Sequence, residues 1–154
     1  MTYADTFNLR DRSLAKINDI ADAIDGQLLD RYSINKNNSS TSTSSTTMVD
    51  TDLTLSITLG AQQSVLLIAS IGFSISAVTY GAFQLVRDTT DIGAPQYLTT
   101  HRADTNALDM NAMLVSSDSK PGAGTYTYKV QWLTTTSNTI YSRFRQLEAL
   151  VFQE

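Results

Sequence analysis

His101 is the sole histidine, and it lies in the polar run Thr99-Thr100-His101-Arg102. A serine hydrolase would need it as general base, and no Gly-x-Ser-x-Gly turn exists to present a nucleophile. One histidine and no cysteine also leave a zinc ion short of ligands. Asp88, Asp91, Asp104, Asp109 and Asp118 invite a second chemistry, glycoside cleavage by paired carboxylates. Aspartate is equally a turn former, because its side chain bonds the local backbone. Turn formation accounts for Asp88, Asp91 and Asp118 without catalysis. The same residues could gather calcium, but the spacing of an EF-hand loop is absent. Pro121-Gly122-Ala123-Gly124-Thr125 is glycine-rich, yet it lacks the lysine of a phosphate loop and precedes a strand pattern. The reading is of a chain with no catalytic, cofactor-binding or metal-binding residues, and not of an enzyme.

Two further groups can recognise without reacting. Tyr126, Tyr128 and Trp132 fall two and four residues apart, which puts all three on one face of a strand, with Val130 between. Such a stripe could stack sugars or bases. It is more readily a core or a subunit interface. Arg143 and Arg145 flank Phe144, share a face in a regular strand, and could pair with Glu148 or with an acidic neighbour.

Composition narrows the classes. Of the 154 residues, 17 % are charged, below the usual quarter, and the net charge is −4. The 11 basic residues form no run, so a nucleic-acid footprint is not expected. A basic amphipathic face for a membrane surface is missing too. The longest apolar stretch, residues 64–80, is interrupted by Ser70, Gly72, Ser74 and Ser76 and is too short and polar to span a bilayer. The N-terminus lacks the apolar core of a signal peptide, which implies synthesis in a cytoplasm.

The positioning elements divide into three zones. In residues 1–32, Leu14, Ile17, Ala21, Ile24 and Leu28 recur at intervals of 3, 4, 3 and 4. That is a heptad seam, and it predicts a helix over residues 5–32 that bends or ends near Gly26. Leucine and isoleucine at these seam positions lean away from a dimer. The seam needs a partner, either copies of itself or another surface. In residues 33–48, 13 of 16 residues are Ser, Thr or Asn, the composition of a flexible linker. Residues 49–154 alternate like a sheet. Leu53, Leu55, Ile57 and Leu59 oppose Asp52, Thr54, Ser56 and Thr58. Ser64–Ser70 reads as a strand buried on both faces. Later strands are expected near residues 82–87, 107–115, 125–133, 140–145 and 147–152. Seven or eight short strands divided by polar turns predict a mainly β fold, an antiparallel β-sandwich or jelly roll.

The segments DLTLSITLGAQQSVLLIAS, YGAFQLVRD and PGAGTYTYKVQWLTTTSNTIYSRFRQLEALVF resemble the small β-domains of tailed-bacteriophage virion proteins. The most specific part is Pro121 to Trp132. The resemblance covers about two-thirds of the chain and leaves out the first two zones. It implies a jelly roll that forms homotrimers on the outside of a particle, as in capsid decoration (cement) proteins or head fibres. The implied partners are further copies of the chain and a major capsid protein. The implied location is the outer capsid surface. A receptor- or glycan-binding fibre tip is the alternative that the same resemblance admits.

Overall fold

The computed structural model describes residues 28–36, 39–76, 80–99, 110–119, 121–136 and 138–153. These residues form nine strands: β1 (Leu28–Lys36), β2 (Thr41–Thr43), β3 (Val49–Leu59), β4 (Gln63–Ile75), β5 (Tyr80–Arg87), β6 (Thr90–Thr99), β7 (Met110–Asp118), β8 (Gly124–Thr134) and β9 (Ile140–Gln153).

Pairing is nested and antiparallel throughout. β1 pairs with β9, β3 with β8, β4 with β7 and β5 with β6. The β4–β9 and β5–β8 ladders join these pairs into two sheets, ordered β1-β9-β4-β7 and β3-β8-β5-β6. A long hairpin rolled up so that successive rungs alternate between two layers is a jelly roll. The short β2 adds to β9 beyond the end of β1.

Alternation explains the strands. In β3, Leu53, Ile57 and Leu59 are buried while Asp52, Thr54, Ser56 and Thr58 are exposed. The opposite layer contributes Val65, Leu67, Ala69, Ile71, Phe73 and Ile75 from β4, all buried. Phe73, Phe83 and Trp132 interlock at the centre, with ring centroids 4.8 and 6.5 Å apart. Filling the space between two sheets with these side chains supplies the main driving force, about 25 cal/mol per Å² of apolar surface removed from water.

Four expectations change. The helix expected over residues 5–32 falls outside the described residues as far as Gln27, and so do Leu14, Ile17, Ala21 and Ile24. Leu28 is described and belongs to β1, a strand. Tyr32 and Ile34 alternate inward on the core, and β9 offers them a free edge, so pairing overrides the helical spacing. The flexible linker expected at residues 33–48 is partly sheet: Ser33–Lys36 completes β1, and Thr41–Thr43 is β2. The strands expected at 140–145 and 147–152 are one continuous strand, β9. Finally, Arg143 and Arg145 do not share a face. A bulge opposite Gly72 and Phe73 inserts Arg143 as an extra residue, because Gly72 faces Phe144 and Phe73 faces Ser142. Past that point the phase shifts, so Arg145 turns inward and Phe144 outward.

Candidate interaction surfaces

Arg145 is 2 % exposed. Its guanidinium forks onto the carboxylate of Asp52, with Nε donating to Oδ1 at 2.5 Å and Nη2 donating to Oδ2. Nη1 donates to the carbonyls of Ser39 and Ser142. The arginine thus fastens β9 of one sheet to β3 of the other and holds the chain between β1 and β2. The Asp52 carboxyl is kept below its ordinary value by hydrogen bonding to Arg145. Glu148, the partner expected for these arginines, instead accepts from Arg31 at 2.7 Å.

A second fastening closes one end of the sandwich. Asp118, at the end of β7, accepts from Arg87 Nη1 at 2.7 and 2.8 Å and from the Tyr128 hydroxyl at 2.8 Å. Burial, reinforced by that hydrogen bond, pushes the Tyr128 hydroxyl far above the ordinary tyrosine range. Arg87 also lies 5.2 Å over the Tyr126 ring. The Tyr126 hydroxyl donates to the Pro121 carbonyl at 2.9 Å and anchors the β7–β8 turn, where Gly122 takes a φ of +101°. Tyr128 and Trp132 are therefore core residues, and Tyr126 is partly buried against them. They offer no open aromatic platform.

Asp88 is a turn residue. Its φ is +53°, and its Oδ1 accepts from the Thr127 backbone N–H at 2.9 Å. Asp91 is exposed in β6. His101, Asp104 and Asp109 lie outside the described residues. Among the described residues, no three His, Asp or Glu side chains gather as a metal site. Another ion pair, Lys129 with Asp50 at 2.8 Å, ties β8 to β3. Among the described residues, these arrangements hold strands together.

Among the described residues, two surfaces stand open. The first is a cavity of about 210 Å³ between β6 and β7, the edge strands of the two sheets. Leu85, Ile92 and Leu114 form its floor, and Gln96 and Ser116 line it. β6 bulges there: Phe83 pairs with Gln96 and Leu85 with Ile92, which leaves Gly93, Ala94 and Pro95 opposite one residue. Gly93 has a φ of +82°, a left-handed conformation that suits glycine. The Gln96 Oε1 atom is buried and unpartnered.

The second is the outer face of the β1-β9-β4-β7 sheet. Registration places Leu66 beside Leu150, and Ile68 between Glu148 and Val115. Phe152 and Met113 extend this diagonal, and Phe144 adds to it. Met113, Val115 and Phe144 are 59 %, 60 % and 45 % exposed. The opposite outer face, on β3 and β8, is polar: Asp50, Thr54, Ser56 and Thr58 with Thr125, Lys129 and Gln131.

No protein-family model matches the sequence, and no curated protein matches it. Solved structures do resemble the fold. The EclA C-terminal domain, described as a sugar-binding protein, is 16 % identical, covers 77 % of this chain and 79 % of its own, and gives a TM-score of 0.45. The VP2 subviral particle of infectious bursal disease virus is 14 % identical, with 79 % of this chain and 32 % of that one covered and a TM-score of 0.45. A family 16 carbohydrate-binding module is 12 % identical over 76 % of this chain and 74 % of its own, with a TM-score of 0.32. Similarities this distant say nothing about what the chain binds.

Proposed function

We propose that this chain is a structural, non-catalytic virion protein that assembles as a homotrimer and decorates a phage capsid, stabilising it by binding assembled capsid subunits. The observation that supports this reading is the apolar outer face of the β1-β9-β4-β7 sheet. A two-layer sandwich in water needs a polar outside, and the outer side of β3 and β8 has one. A diagonal of apolar side chains across an outer face, from Phe152 through Leu150, Leu66, Ile68 and Val115 to Met113, is the mark of a surface made to be covered. Binding the assembled shell and not its dissociated form would stabilise that shell by mass action, and many copies would make weak contacts collectively strong. The seam residues Leu14, Ile17, Ala21 and Ile24 are the proposed tie to the shell.

The test is the solution mass of the purified chain, by light scattering after gel filtration. Three times the mass of one chain is the expected result. A mass of one chain at micromolar concentration would overturn the assembly reading.

A second reading, a receptor- or glycan-binding tip, is favoured by one observation, the β6–β7 cavity with its unpartnered Gln96 oxygen. No ionisable side chain lines that cavity, so its ligand would be neutral and would bring a hydrogen-bond donor. A glycan array without a hit would count against it.

A further inference from the structure

We infer that the outer face of the β1-β9-β4-β7 sheet, centred on Ile68 with Leu66, Leu150, Val115 and Met113 around it, is the surface through which copies of this chain pack on one another. The inference rests on the assembly reading above and names which face does the assembling, and against what.

Charge comes first. A face gathered around a threefold axis brings the same residues of three copies near one another, so it must be close to neutral. On this face the described charged side chains are Arg31, Glu148 and Arg143, and the first two already pair at 2.7 Å. On the other outer face Asp50 pairs with Lys129 and Asp52 with Arg145, so that face is neutral as well, but on β3 and β8 it presents mostly hydroxyls and amides. A partner of strong opposite charge has little to grip on the β4 side.

Shape and size agree. β4 has 13 residues, so the face runs about 43 Å along the strands at roughly 3.3 Å per residue. Four strands at about 4.8 Å spacing give a width near 19 Å. That is on the order of 800 Å² before the shorter β1 and β7 are allowed for, close to what each partner gives a standard interface. The face also mixes large and small groups. Phe144 and Met113 project beside Gly72 and Ser70, their registered neighbours on β4, so one copy's projections have recesses to enter on another. Methionine and aromatic residues are those enriched in interface cores.

β4 explains why the face exists. Its inward residues Val65, Leu67, Ala69 and Ile71 fill the core, while Leu66 and Ile68 point the other way. A strand apolar on both sides needs cover on both sides. Within one chain, the described residues cover only the inner side.

The absence of cysteine makes the test clean. Ile68→Arg is measured by light scattering, with circular dichroism as the check on folding. Ser70→Cys is treated with a short bismaleimide, and Ser56→Cys on the polar outer face is the control. The expected result is an oligomer for the parent chain and a folded single chain for Ile68→Arg. Covalent multimers should form from Ser70→Cys and not from Ser56→Cys. An oligomeric Ile68→Arg, or equal cross-linking at Ser56, would overturn this interface while leaving assembly itself intact. A monomeric parent chain would overturn both. A shortened chain lacking residues 1–26 separates the remaining occupant. If it stays oligomeric, copies cover the face. If it becomes a monomer that binds a hydrophobic dye, the N-terminal segment covers the face and the inference falls.

Discussion

At the residue scale, the charged groups of this protein are fastenings. Arg145 and Asp52 join the two sheets, and Arg87, Tyr128 and Asp118 join them again at one end. Asp52→Asn should destabilise by about 2 kcal/mol, measured by urea denaturation. That is below the range for fully buried pairs because the Asp52 side chain is 40 % exposed. Tyr128→Phe should cost about 1.5 kcal/mol, since one charge-assisted hydrogen bond goes while Asp118 keeps Arg87. The pH dependence has a fixed sign. Asp50 and Asp52 both titrate below the ordinary value of 3.8 in the folded chain, so their contribution is present above that value. It is lost as pH falls through the lower native values. The urea midpoint should therefore fall below about pH 4, and Asp52→Asn should flatten that fall. Equal acid sensitivity in the variant would remove Asp52 as a cause.

At the element scale, the bulge in β9 decides which arginine is structural. Deleting Arg143 removes the extra residue yet keeps Ser142 and Arg145 inward, so that variant should fold, with a loss of about 1 kcal/mol. Deleting Gln146 re-phases the strand beyond it and drives Glu148 into the place of Leu147, so that variant should not fold. Near-ultraviolet circular dichroism separates the two outcomes. Strands with clear alternation, β3 and β8, were legible in the sequence, and so was the two-sided apolar character of β4. The bulge was not, because a single extra residue leaves no mark in composition, and a regular strand would have put Phe144 in the core. β1 is hidden in the sequence for a related reason. Residues 28–36 carry a helical spacing at Leu28 and a strand alternation at Tyr32 and Ile34, and only the open edge of β9 chooses between them. The polar cavity residue Gln96 was illegible as well, since its position follows from the bulge at Gly93 to Pro95.

At the scale of the whole molecule, nested pairing makes the first and last strands depend on each other. β1 lies against β9, more than a hundred positions away, with Ile34 opposite Leu147. Closing so long a loop is entropically costly, and it cannot be repaid until the sandwich between is in place. The ends of the described chain are thus structural, with β1 part of the same sheet as β9 and β4. This predicts a step in a truncation series. Removing residues 1–26 should leave the melting temperature nearly unchanged, because β1 begins at Leu28. Removing residues 1–36 strips Tyr32 and Ile34 from the core and bares the edge of β9, which should cost several kcal/mol and promote aggregation. A gradual decline across the series would mean that β1 adds little to the sandwich. A sharp drop between the two truncations would place the first strand inside the cooperative unit, and any loss of shell binding in the shorter truncation could then be assigned to the N-terminal segment alone.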